Sequence, residues 1–185
     1  EYRIAQIVDS IVSSTRKVYT RDVSGKLFED GTGAVFEYQN HKGFVPLPVQ
    51  LIQNIAKQLS VKTNNEINIK LKSKYFINEN NRLIDYEDNS AWTFFEKQQT
   101  ESLNALDLQW KPYVYRSKIA QDDYLVYMAP DIASDASCVS CHVSYEYRAE
   151  NIKARKVYGV AGQPILKLGH MIGMLEIKIK IKIKK

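Results

Sequence analysis

Across residues 1 to about 20, Ile4, Ile7, Val8, Ile11 and Val12 recur at three- and four-residue spacing, which lays one apolar stripe along an amphipathic helix. Ser24, Gly25, Asp30, Gly31 and Gly33 then read as a loop, and the weak apolar run at Val35 and Phe36 predicts no firm element. Pro46 and Pro48 stand before Val49, Leu51, Ile52, Ile55, Ala56 and Leu59, a second amphipathic helix whose first turn tolerates proline. Ile67, Ile69 and Leu71 alternate with polar residues as a half-buried strand does. Asn78 to Asn81 break the chain, and Ala91, Trp92, Phe94 and Phe95 predict a third helix with Asp85 as its cap. Trp110, Tyr113, Tyr115, Tyr124, Val126 and Met128 read as two strands joined near Ala120 to Asp123. Ile165 to Leu168, the Gly169-His170 turn and Met171 to Ile183 predict a closing hairpin over about 164–185. Its second arm alternates apolar residues with lysine, as a strand with one wet face does, and the lysines discourage edge pairing. Strands joined by short turns, with helices set apart, predict an α+β fold with an antiparallel sheet rather than a parallel βαβ fold.

The chain of 185 residues suits one domain over 1–185, and 44% hydrophobic, 25% charged residues and 12 tyrosines mark a folded protein. Its net charge is +5, and Lys178, Lys180, Lys182, Lys184 and Lys185 account for all of it. The remainder is electrically balanced and offers no distributed basic face, so nucleic acid is not an expected partner. No apolar run has the length of a membrane span, and no signal peptide opens the chain. The start inside a helical pattern, without methionine, reads as a mature or excised segment whose flanking segments, membrane-spanning or not, lie outside it.

The chain's two cysteines form the run Cys138-Val139-Ser140-Cys141-His142. Two thiols at this spacing reach the two vinyl groups of one haem as thioethers, and the adjacent imidazole is carried beneath the iron as its proximal ligand. The same spacing serves dithiol redox pairs, but those require a strand before and a helix after the pair within a βαβ unit, and the flanking pattern does not predict one. A zinc site would need a fourth ligand beyond Cys138, Cys141 and His142. The motif therefore predicts one covalent haem c, within a haem-binding segment of about 124–150.

For the distal side of the iron the candidates are His170, Met128 and Met171, with His41 and Met174 beside them. The alternative for the methionines is core filling, and for His41 and His170 an exposed turn. Arg82, Arg116, Arg148 and Arg155 are candidates to pair haem propionates.

These residues, with Tyr38, Gly43-Phe44-Val45-Pro46-Leu47-Pro48, Leu71-Lys72-Ser73, Tyr75-Phe76, Asn78 to Asn81, Asp85 to Ala91, Ala129-Pro130 and Gly169 to Gly173, fall in one order. In that order the chain resembles the haem-c-binding periplasmic sensor domains, a PAS/Cache-like family found on histidine kinases, nucleotide cyclases and chemoreceptors. The resemblance implies a sheet with a long N-terminal helix and a periplasmic, non-enzymatic domain. Such a domain senses redox state or a small diatomic ligand, signals across the membrane and can pair as a homodimer through its first helix. The chain departs from that pattern at His170, where an acidic residue is expected, and in the Ile-Lys tail. The competing expectation is a free periplasmic mono-haem cytochrome that exchanges electrons with a redox partner. Haem-based catalysis finds no identifiable distal acid or base.

Overall fold

The N-terminal stripe folds as helix α1, Tyr2–Tyr19, in a computed structural model that describes residues 1–29, 33–102 and 105–182. The predicted stripe divides between two faces. Val12 is buried with Ala5, whereas Ile4, Ile7 and Ile11 stay exposed. The loop expected from Ser24 and Gly25 is instead a continuing helix: a π-helical stretch, Thr20–Ser24, leads directly into α2, Gly25–Glu29. Asp30 and Gly31 of that expected loop lie outside the described residues, as do Ile183, Lys184 and Lys185 of the expected C-terminal arm.

Helix α3, Pro48–Lys62, begins where the prolines predict, with the Gln50 side chain accepting a hydrogen bond from Leu47 N at 2.9 Å. Strand β1, Ile67–Lys72, follows, and then α4, Tyr86–Glu101, capped by Asp85, whose Oδ1 accepts from Asp88 N at 2.8 Å. The hairpin β2, Tyr113–Ile119, and β3, Asp122–Ile132, turns at Ala120 with φ of 56°. Two helices follow that the apolar pattern does not predict: α5, Ala136–Glu146, and α6, Ala149–Val157. The last strand is β4, Met171–Lys180.

The sheet order is β1-β4-β3-β2, and the register (Lys180 N to Glu66 O; Ala133 N to His170 O; Ile181 N to Asp123 O) makes neighbours antiparallel. The fold is therefore α+β, as the patterning predicts. The C-terminal hairpin needs correction, because residues 160–168 are not a strand and β4 pairs with β1 and β3 instead. Being interior, β4 is buried from Met171 to Ile177 rather than wet on one face. The lysines beyond are matched by acids, Lys180 with Asp122 at 2.7 Å and Lys182 with Glu66 at 2.8 Å.

The chain divides into two compact units, and each of the four strands has residues in both. The first comprises residues 1–70, 115–126 and 177–185. In it α1 packs on α3, Tyr19 Oη donates to Pro46 O at 2.8 Å, and Ala5, Val12, Ile52, Ile69, Val126 and Ile177 form the buried core. The second comprises 71–114 and 127–176 and buries Phe76, Trp92, Phe95, Met128, Ile172 and Met174. Among the described residues no helix is long and apolar enough to cross a membrane.

Candidate functional site

The Cys-His motif lies on α5, in the second unit. Where β3 ends, Ala133 N donates to His170 O at 2.8 Å and Gly169 N donates to Ala133 O at 2.9 Å, fixing the approach to the helix against the Gly169-His170 turn. Asp135 then caps α5. Its Oδ1 accepts from Ser137 N at 2.9 Å and from Ser137 Oγ at 2.6 Å, while its carbonyl accepts from Cys138 N at 3.0 Å. Two of the first-turn amides that a helix leaves open, those of Ser137 and Cys138, are thus engaged by one aspartate.

On α5, residues three and four apart share a face, so Cys138, Cys141 and His142 stand together one turn from the cap. Both cysteines are free thiols. Cys138 is buried with Ala133, Leu166 and Ile172, and Val139 packs against that cluster; Cys141 and His142 are half-buried. Burial, then the neighbouring Cys138, pushes the Cys141 thiol above its usual range, against a smaller opposing effect of Arg148.

The dithiol alternative has more of its local context than the sequence pattern indicates, since a strand, β3, does precede the pair and a helix does carry it. The parallel crossover is missing: β4, the next strand, runs antiparallel beside β3. Among the described residues no three His, Cys, Asp or Glu side chains converge as metal ligands.

Leu166, packed in the Cys138 cluster, also lines a cleft with Tyr75, Trp92, Glu96, Gln99, Gln163, Pro164, Ile165, His170 and Met171. Two of the distal candidates, His170 and Met171, are therefore wall residues of this cleft. Partial burial, reinforced by Lys167, holds the His170 imidazole below its usual pKa, which leaves it neutral at pH 7. Gln99 Oε1 accepts from Met171 N at 2.7 Å and pins the start of β4 to α4. Met128 and Met174 are core residues and do not line the cleft. His41 is exposed, lies in the first unit and packs against Phe44 with ring centroids 5.5 Å apart and planes tilted by 57°. His170 is not the exposed turn residue of the alternative reading, because the turn it occupies is hydrogen-bonded to Ala133.

Arg155, expected as a propionate partner, is 3% exposed and serves the scaffold. Its Nη1 lies 2.5 Å from Glu146 Oε2, its Nε donates to Phe76 O at 3.0 Å and its Nη2 donates to Tyr75 O at 2.9 Å. Glu146 Oε1 in turn accepts from Gln163 N at 2.7 Å. The end of α5 is thereby tied to α6 and to two residues of the cleft wall, Tyr75 and Gln163. Arg148 lies 3.7 Å from the Tyr145 ring centroid, Arg82 lies 4.8 Å from that of Tyr158, and Arg116 is exposed on β2.

A cluster that the sequence pattern misses lies in the same unit. Lys72 Nζ is 2.5 Å from Asp88 Oδ1 and 3.3 Å from Glu176 Oε2, with all three residues buried.

A family model described as Tll0287-like matches residues 3–180. No curated protein matches the chain. Among solved structures, the crystal structure of the cyanobacterial heme-protein Tll0287 aligns over 100% of this chain and 99% of that one, with a TM-score of 0.58 and 13% sequence identity. At that identity the likeness is one of fold.

Proposed function

Because the chain belongs to the Tll0287-like family, we propose that it is a haem-binding protein in which Cys138 and Cys141 hold one haem c as thioethers and His142 ligates its iron. The observation that carries the reading is the placement of both free thiols and the imidazole on one face of α5, with Cys138 packed on a residue that lines the cleft. The structural neighbour Tll0287 is a heme-protein, which adds support. So does apolar surface left open in the same unit: Ile165, at the cleft, is 85% exposed, and Val143, next to His142, is 40% exposed. Such surface suits a large, mostly apolar group held at α5.

Haem held here would supply one-electron chemistry and an iron able to take an imidazole, a thioether or a diatomic ligand. The residues do the rest. His142 offers the proximal nitrogen from the helix that bears both anchors. His170, neutral, and Met171 stand in the cleft wall as the protein's own distal donors. The backbone of His170 is bonded to Ala133, two residues before the Asp135 cap. A change in what His170 binds therefore acts on the approach to α5 and on the start of β4. This is the arrangement of a sensor, in which occupancy of the distal side biases two conformations of the domain. The domain belongs outside the cytoplasm, where thioether attachment takes place, on a membrane-anchored signalling protein.

The test is a denaturing gel stained for haem, followed by optical spectra of the native protein, oxidised and reduced, with and without carbon monoxide. Stain that persists through denaturation, and is lost only when Cys138 and Cys141 are both replaced by serine, is expected. Carbon monoxide uptake by the reduced form, faster after His170→Ala, supports a displaceable distal ligand and gas sensing. A spectrum inert to carbon monoxide in both proteins supports redox sensing. Absence of covalent haem overturns the reading.

A further inference from the structure

Trp92 carries a hydrogen-bond donor that the fold leaves unused. The residue is 2% exposed, and among the described residues its indole Nε1–H, sealed from solvent, meets no acceptor. An indole can only donate, and a buried donor without a partner destabilises the fold, so an acceptor from outside the chain accounts for it. Trp92 lines the same cleft as His170 and Met171, the two distal donors. Its ring is set edge-on to Tyr75, with centroids 5.8 Å apart and planes at 75°. Seven residues on, Gln99 lines the cleft from the same face of α4. The Gln99 Oε1 accepts from Met171 N at 2.7 Å, which fixes the amide: the oxygen is committed to the protein, and Nε2 is the end left for a ligand. One helix face thus brings two donors to the cleft.

The charge of the cleft limits the acceptor. Among the lining residues only Glu96 is ionised, His170 being neutral, and Glu96 Oε1 lies 3.5 Å from Lys74 Nζ, so Lys74 is already matched. A carboxylate entering the cleft, a haem propionate included, would meet the like charge of Glu96 with no cation in the lining to offset it. A neutral acceptor fits better. Dioxygen and carbon monoxide are both neutral, but on ferrous haem dioxygen draws electron density onto its outer oxygen, which then accepts a hydrogen bond strongly. Carbon monoxide stays nearly apolar, and distal donors therefore tell the two apart. We propose that Trp92 and Gln99 are the specificity-determining residues of the distal side, donors that select dioxygen over carbon monoxide. The proposal rests on the haem reading above and adds to it the ligand and the residues that choose it.

The experiment is stopped-flow measurement of ligand dissociation from the reduced, haem-loaded protein. In Trp92→Phe, which keeps an aromatic ring and loses the N–H, the dioxygen rate should rise about tenfold to a hundredfold while the carbon monoxide rate stays within about twofold. Gln99→Glu keeps an oxygen for Met171 N and replaces the donor by a second oxygen, so it should move the dioxygen rate the same way. Trp110→Phe is the control, because its Nε1 is likewise buried without a partner but Trp110 does not line the cleft; both rates should match the parent. The infrared C–O stretch of the carbon monoxide complex gives a readout apart from kinetics. A donor beside the ligand lowers that band, so it should move to higher frequency in Trp92→Phe and Gln99→Glu and stay in place in Trp110→Phe. Should Trp92→Phe fail to fold to the parent's circular dichroism, Gln99→Glu decides by the same two readouts. Covalent haem with a dioxygen rate and a C–O band that these changes leave alone overturns the proposal and leaves the haem reading standing. Loaded protein that binds neither gas does the same, as does a rise of both rates together, which would mean altered access rather than selection. Absence of covalent haem overturns the reading itself, and the proposal with it.

Discussion

Lys72 illustrates how a single buried charge shapes this protein. Burial by itself draws its ammonium pKa down, but the carboxylates of Glu176 and Asp88, with their hydrogen bonds, outweigh that and leave it raised above the usual 10.5. A lysine whose folded pKa is raised contributes stability that is fully present below its unfolded pKa and is lost as pH rises through the folded one. Unfolding free energy should therefore hold steady up to about pH 10 and fall above it, as read by urea midpoints across the alkaline range. Lys72→Met should lose only the share of that alkaline limb that Lys72 supplies, since Tyr19, Tyr75 and Tyr113, whose pKa values are also raised, contribute to it too. It should also destabilise the protein at pH 7 by about 3–5 kcal/mol, since two buried carboxylates would lose their cation. A Lys72→Met protein as stable as the parent at pH 7 would sink this account. The alternation of Ile67, Ile69 and Leu71 places Lys72 in solvent, and that expectation fails because Asp88 on α4 and Glu176 on β4, both distant in sequence, supply its partners.

At the scale of elements, α5 depends on Asp135 and the turn bonded to it depends on Gly169. Asp135→Ala removes the acceptor for Ser137 N and should cost roughly 1 kcal/mol, fraying the turn that holds Cys138. A lowered thermal midpoint together with a reduced yield of covalent haem is expected, and an unchanged yield would show that the cap does not position the thiols. Gly169 adopts φ of +80°, and a Cβ there would sit 2.9 Å from Ala105 C and Leu106 N, both backbone atoms. Gly43 has nearly the same φ, +84°, with nothing within 4 Å. Gly43→Ala should thus cost only the backbone strain, roughly 1 kcal/mol, and Gly169→Ala clearly more. Equal losses in thermal melts would refute the steric argument. Elements with strong local periodicity, namely α1, α3, β1 and the β2–β3 hairpin, are legible in the sequence. The cap at Asp135 is legible as well once α5 is known. Helices α5 and α6 escape because α5 buries Cys138 alone and α6 buries Asn151 and Arg155, so neither writes an apolar stripe. The closing hairpin fails for the converse reason: β4 pairs with β1, far away in sequence, and a local pattern does not reveal a central position.

For the whole molecule, the division into two units does not follow the boundaries of the strands. Residues 67–70 of β1 belong to the first unit and 71–72 to the second, and β2, β3 and β4 are divided in the same way, at 114/115, 126/127 and 176/177. Each strand is one continuous stretch of chain shared by the two units, so unfolding one unit would leave the other with shortened strands. The expectation of one domain in the sequence thus has a physical test. Trp92 and Trp110 both lie in the second unit, whereas α1 and α3, two of the longest helices, lie in the first. Tryptophan fluorescence and far-UV circular dichroism accordingly weight the two units differently. Their urea transitions should superpose, with one midpoint and one slope, as a two-state domain requires. If fluorescence were lost at lower urea while most helical signal persisted, the second unit, with the Cys138–His142 site, would open independently of the first. If the curves superpose, a change at the site is registered by the same cooperative structure that carries α1.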